Sequence, residues 1–384
     1  MPDLRLPLDD GLAWHKIERA CVYPKPAQAL RSRTAYAAAH VVPSEDPALD
    51  AGIDWESTLA YRRYLWSYGL GVAEAMDTAQ RGMGLPWNAA RELIRRSLLD
   101  ARACGGLIAC GAATDQLPEG PAALDEIVNA YEEQCEWIER HGGRVILMAS
   151  RSLAASASSL EDYHAVYSRV LSQLRQPAIL HWLGEMFDPK LGGYWGSRDL
   201  DQAIEAFLAL IRDHSSRIDG IKISLLDANR EIDLRRRLPS GVRTYTGDDF
   251  NYPELIAGDG MSHSDALLGI FDAIAPAASA AIQALDRGNP TEFRQVLDAT
   301  LPLSRHIFES PTYHYKTGIV FLAWLNGHQK NFRMVGGFEK ARSLSHLAKL
   351  LILAERAGVL ADPDLACART QSLLSRSGIV ATAP

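Results

Sequence analysis

The chain has 384 residues, of which 47% are hydrophobic and 23% charged, with a net charge of -7. That balance excludes a largely disordered chain, and the acidic excess excludes a general binder of nucleic acid or anionic membrane, which needs a basic face. No apolar run approaches the roughly 20 residues of a membrane helix.

The opening stretch MPDLRLPLDDGLAWHKIERA carries acids where a secretory signal needs a basic and then an apolar segment. The cysteines Cys21, Cys104, Cys110, Cys135 and Cys367 form no CxxC pair. They read as reduced thiols, and a cytoplasmic location is expected. Residues 1–32 form an N-terminal extension for which the sequence suggests no role.

From residue 33 onward, short apolar runs alternate with amphipathic helical patterns. The first strand is expected at 35–42 (AYAAAHVV), followed by a helix near 54–68 with Asp54 as N-cap. A second strand follows at 71–76 (GVAEAM), then a helix near 87–103 and a third strand at 106–111 (GLIACG). Leu124, Ile127, Tyr131, Cys135 and Ile138 share one face of a helix over 122–141, which Gly142 and Gly143 stop. The fourth strand, 144–149 (RVILMA), is continuously apolar, as a strand buried on both faces should be.

Tyr163, Val166, Val170 and Leu174 line the next helix, Pro177 ends it, and the fifth strand is 178–183 (AILHWL). Leu200, Ile204, Phe207 and Ile211 line another, before the sixth strand, 220–224 (GIKIS). The seventh and eighth strands are expected at 242–246 (VRTYT) and at the 259–263 segment (DGMSH). Beyond these the pattern is helical, at 291–305, 314–326 and 340–357. Eight β/α repeats imply parallel strands joined by right-handed crossovers and closed on themselves. The expected fold class is therefore α/β, a (β/α)8 TIM barrel over 33–288 with a C-terminal helical extension over 289–384.

The active site of such a barrel lies at the C-terminal ends of its strands. The polar residues expected there are His40, Asp77, Thr78, Asp115, Ser150, Arg151, His181, Glu185, Lys222, Ser224, Asp248, Asp249, Ser262 and His263. Lys222 stands out, because it interrupts an apolar strand. A lysine turned into a barrel loses hydration, its charged form is disfavoured, and the neutral amine can attack a carbonyl to form an imine. The alternative is an ammonium that merely pairs with Asp248 or Asp249.

His181 is the second candidate, as a proton carrier or as a hydrogen-bonded core histidine. Asp77, Asp115, His181 and Glu185 could instead gather a divalent cation, although no HxH or HExxH spacing supports it. The segment 188–197 (DPKLGGYWGS) is either a hinged loop that closes Tyr194 and Trp195 over a ligand or a surface loop docked by those aromatics.

Residues 220–222 (GIK), 245–249 (YTGDD) and 255–262 (LIAGDGMS) together resemble the dihydrodipicolinate synthase/N-acetylneuraminate lyase superfamily. Its strand-six lysine and its glycine- and aspartate-rich strand-seven and strand-eight segments are matched in order. The helix from Pro311 to Gly327, with Lys316 inside it, resembles that family's C-terminal segment. The resemblance implies a class I lyase or aldolase on a small-molecule substrate, with no cofactor, assembled as a homodimer or homotetramer. It implies Lys222 as the Schiff-base nucleophile.

Two departures qualify it. The family's threonine-rich carboxylate pocket after strand two is replaced by 76–81 (MDTAQR), with Asp77 where an anion would sit, and the strand-five tyrosine is replaced by His181. A keto acid would meet a like charge there, so a neutral keto-sugar or polyol derivative is the expected substrate. Lys222 and His181 are the expected catalytic pair. Asp77, Thr78, Asp115, Glu185, Asp248, Asp249 and His263 are expected to bind substrate. A divalent-metal sugar isomerase or epimerase and a non-catalytic sugar-binding barrel are the rival readings.

Overall fold

The computed structural model describes residues 4–46 and 52–379. These begin with an antiparallel hairpin, β1 (Leu4–Leu8) and β2 (Gly11–His15). Eight parallel strands follow: β3 (Ala35–Ala38), β4 (Gly71–Glu74), β5 (Ile108–Ala112), β6 (Arg144–Leu147), β7 (Ala178–Leu183), β8 (Ile218–Ser224), β9 (Arg243–Thr246) and β10 (Asp265–Leu268). They close a barrel in sequence order, with β10 pairing back to β3. Helices lie between the strands and continue after the last, so the chain is a (β/α)8 barrel with C-terminal helices.

The residues fall into two compact units. One consists of Arg33–Ala39 and Leu70–Gly269 and carries all eight barrel strands; the other draws on Met1–Ser32, His40–Gly69 and Ile270–Pro384.

Inside the barrel unit, alternation along each strand decides what faces the interior. Tyr36, Ala38, Ala73, Ala109, Ile146, Ile179, Tyr245 and Leu267 meet in one apolar cluster. Two bulky rings require small neighbours. A Cβ on Gly71 would sit 2.6 Å from the Tyr36 ring, and one on Gly220 would sit 2.7 Å from the Tyr245 ring. The two tyrosines meet edge to face at 6.0 Å between centroids, a favoured aromatic geometry. Gly71 on β4 and Gly220 on β8 are thus fixed by packing against these rings.

In the second unit the N-terminal hairpin acquires a role. The carboxylate of Glu355, on the helix Leu344–Arg356, accepts from the backbone N–H of Glu18 at 2.6 Å and of Arg19 at 3.2 Å, and pairs with His15 Nε2 at 2.6 Å. Asp286 likewise accepts from the backbone of Arg31 and Ser32. The described part of the N-terminal extension is a strap held by the C-terminal helices.

Most expected elements stand within a few residues of their places, and Asp54 caps its helix by accepting from Ser57 N at 3.0 Å. Two expectations are corrected. The 259–263 segment is not the eighth strand. Gly258 and Gly260 adopt left-handed φ values of 80° and 84°, and the Asp259 carboxylate accepts from Met261 N and Ser262 N. That closes a turn, and β10 starts only at Asp265. The 291–305 helix is two, Pro290–Asp298 and Leu301–Ile307. Pro302 lacks an N–H and its ring crowds the preceding turn, so the chain restarts just before it.

Candidate active site

Lys222 and His181 are register partners on the adjacent parallel strands β8 and β7. Residue 181 is two positions from Ile179, and residue 222 pairs on its other side with Tyr245, both members of the interior cluster. Alternation therefore turns both side chains into the barrel. Each is almost fully buried, at 5% and 1% exposure.

Ser224, one step further on the same face, lies with its Oγ 3.3 Å from His181 Nε2. His181 Nδ1 is buried without a hydrogen-bond partner. An interior polar atom left open in this way is costly unless something else completes it. Room for the lysine is made by Gly247, where a Cβ would fall 2.9 Å from Lys222 Cε and still closer to Ser224 Oγ.

The electrostatics fit this burial. Loss of hydration pushes the Lys222 ammonium below its usual range, against the opposing pull of Asp77 and Asp249. Burial also pushes the His181 imidazole well below its usual range; the Lys222 charge adds to this and Asp77 opposes it. Asp77, which begins the short turn Asp77–Ala79 after β4, is thus the carboxylate that senses both groups.

Thr78 lies in the same turn and is buried. Lys222, His181, Asp77 and Asp249 are gathered at one place, with Ser224 as an addition that the sequence reading had only noted at a strand end.

The other expected residues are placed differently. Asp248 folds back on its own turn, accepting from Phe250 N at 2.9 Å, Asn251 N at 3.0 Å and Asn251 Nδ2 at 2.9 Å. Burial pushes its carboxyl above the usual range. Of these two neighbours it is Asp249, together with Asp77, that acts on Lys222.

Asp115 is held by Arg81, whose Nε donates to it at 2.8 Å, and by Gln134 Nε2 at 3.0 Å. Burial alone would raise its carboxyl, but Arg81 outweighs it and holds the group below its usual range. Glu185 is exposed, in the turn after β7. His263 precedes β10 rather than following it. In a parallel barrel that puts it at the N-terminal end, away from the face expected for chemistry, and its expected place is corrected. The cation set of Asp77, Asp115, His181 and Glu185 is not gathered, since Asp115 is taken by Arg81 and Glu185 faces solvent.

Tyr194 and Trp195 are core anchors. Trp195 packs 4.6 Å from Phe207 and 4.7 Å from Tyr167, while the Tyr194 hydroxyl accepts from Ser150 N at 2.9 Å.

One group escaped the sequence reading. Glu231, on the helix Ala228–Arg237, is buried with its carboxyl hydrogen-bonded to Ser264 Oγ at 2.7 Å and Thr246 Oγ1 at 3.0 Å. Burial raises it to about 8. The usable signal was its place three residues before Leu234 on one helix face.

Solved structures show the same fold. YagE, a prophage protein of E. coli K12 belonging to the dihydrodipicolinic acid synthase family and solved in complex with pyruvate, matches at a TM-score of 0.66 and 12% identity, over 85% of this chain and 99% of its own. A dihydrodipicolinate synthase from Thermotoga maritima matches at 0.64 and 16%, over 86% and 100%. A putative dihydrodipicolinate synthetase from Pseudomonas aeruginosa matches at 0.64 and 16%, over 85% and 99%. The resemblance read from the 220–262 segments holds at the level of the fold. No curated protein matches the sequence. Residues 4–379 match the family described as "Protein of unknown function (DUF993)", and the chain belongs to that family.

Proposed function

We propose that the protein is a Schiff-base-forming lyase, aldolase or dehydratase that acts on a carbohydrate-derived carbonyl compound. The observation that carries this reading is Lys222, buried in the barrel beside His181 with its ammonium disfavoured by burial. A neutral amine adds to a carbonyl carbon, and loss of water from the adduct gives an imine. The imine then withdraws electrons from the neighbouring bond as it breaks. In this reading His181 moves protons during these steps, which its contact to Ser224 through one ring nitrogen and its open second nitrogen support.

Asp77 and Asp249 support a neutral substrate. Both act on Lys222, so a substrate carboxylate drawn to the lysine would come up against negative charge already there. Like charges forced together away from water cost several kcal/mol. Hydroxyl groups can instead donate to these carboxylates, which favours a keto-sugar or polyol over a pyruvate-type acid. A homo-oligomer in the cytoplasm is part of the same proposal, and light scattering on the purified protein tests the assembly.

Borohydride trapping tests the chemistry. Incubation with a panel of neutral keto-sugars plus reductant is expected to add a stable mass to the peptide containing Lys222, and Lys222→Ala is expected to abolish both adduct and turnover. Full activity in Lys222→Ala would overturn the proposal.

A further inference from the structure

Two histidines and a glutamate converge in the other unit. His306 lies at the end of the helix Leu301–Ile307, Glu309 just beyond it, and His346 in the first turn of the helix Leu344–Arg356. One ligand atom from each lies within 4.8 Å of the others. His306 Nδ1 is 3.1 Å from Glu309 Oε2, and His346 Nδ1 is 2.9 Å from Glu309 Oε1. Both histidine side chains are only 6% exposed, whereas Glu309 is open to solvent on one side.

The hydrogen bonding of His306 decides what this cluster needs. Its Nε2 lies 2.9 Å from the backbone carbonyl of His346. A carbonyl cannot donate, so Nε2 carries the hydrogen. In a neutral ring Nδ1 is then a bare lone pair, facing a carboxylate oxygen at hydrogen-bond distance. Two acceptors do not face each other at 3.1 Å unless a cation lies between them. That cation is either a proton, carried by His306 or by Glu309, or a metal ion.

The pattern favours the metal. A ring whose far nitrogen donates to a backbone carbonyl while its near nitrogen faces a ligand site is the usual arrangement of a metal-bound histidine. The turn that carries Glu309 is also held in place, because Arg342 Nη2 donates to the carbonyls of Glu309 at 2.6 Å and Pro311 at 3.0 Å.

We propose that His306 Nδ1, His346 Nδ1 and the Glu309 carboxylate form a binding site for a divalent transition ion of the zinc class. Two imidazoles and a carboxylate suit such an ion, at about 2.0–2.2 Å from each ligand atom, with solvent filling the open fourth position. The ion clips the end of one C-terminal helix to the start of another.

Two features limit its affinity. The rings stack at 4.0 Å with 25° between their planes, so they must hinge apart for one ion to lie near both planes. His346 Nε2 is buried without a hydrogen-bond partner, so a proton moved there would be unsatisfied. Micromolar rather than tighter binding is therefore expected.

The site stands apart from the proposed lyase chemistry and is tested without it. The full chain, stripped with a chelator, is titrated with cobalt(II) and then with zinc(II) salts. One equivalent of cobalt is expected to bind with the visible absorption of nitrogen and oxygen ligation and to be displaced by zinc. Zinc is expected to raise the thermal midpoint of the wild-type chain.

Glu309→Gln, a change at a solvent-open position, is expected to weaken binding at least about tenfold and to remove the thermal shift. A His306→Gln/His346→Gln double variant should bind nothing at the site. No stoichiometric binding by the wild-type chain would overturn the proposal. So would zinc binding that survives unchanged in Glu309→Gln, which decides the matter alone if the double variant does not fold.

Discussion

Asp248 and Asp249 are chemically identical neighbours in the sequence with different work in the fold. The Asp248 carboxylate is saturated by its own turn, while Asp249 acts on Lys222. Asp249→Asn removes a charge that favours the ammonium, so Lys222 should release its proton at lower pH. The rate of reductive trapping with a neutral carbonyl probe, followed against pH, should shift toward acid by on the order of one pH unit. Asp248→Asn should leave that profile in place, and an equal shift in both variants would show the assignment to be mistaken.

Lys222 and His181 were legible as interior polar residues because each interrupts an apolar strand, and the fold buries both on adjacent barrel strands. Glu231 was not, because it sits in ANREIDLRRR, where charge on every side hides the one carboxyl that faces inward.

At the scale of elements, the strands carried the clearest signal, since a strand buried on both faces must be apolar throughout. The eighth slipped because glycines and an aspartate were read as strand entry when they close a turn, and the slip carried His263 to the wrong end of the barrel. Pairings between strands were beyond periodicity altogether, and they explain Gly247. A Cβ there would meet the carbonyl oxygen of Ile223 at 2.8 Å as well as Lys222 Cε. Backbone cannot yield as a side-chain tip can, so Gly247→Ala should destabilise the chain by about 1–3 kcal/mol. It should also displace the lysine, and the checks are denaturant unfolding and borohydride capture on the same variant. Stability within a few tenths of wild type would contradict the packing described.

For the molecule as a whole, Glu231 links stability to pH. In the folded chain it keeps its proton up to about pH 8, against an ordinary value of 4.5. Between those values the folded state binds more protons than the unfolded one, so this group makes stability fall as pH rises through the window, with the full cost present above it. Glu231→Gln should remove that fall. The difference in unfolding free energy between variant and wild type should move in favour of the variant from acid to mildly alkaline pH, as read from urea titrations across the range. A constant difference would mean that Glu231 is ionised in the fold.

The tyrosine pair in the barrel has a kinetic consequence. Tyr36 and Tyr245, wedged against Gly71 and Gly220, fill the interior toward the start of the strands, and the Tyr245 hydroxyl donates to Asp219 near the beginning of β8 at 2.7 Å. With that end stoppered, a molecule that reaches Lys222 has no back exit. In the proposed lyase reaction, fragments of a cleaved substrate would leave by the route the substrate took, and the one tethered to Lys222 as an imine would leave last. Under that proposal departure is ordered, so the free fragment should inhibit noncompetitively and the tethered one competitively.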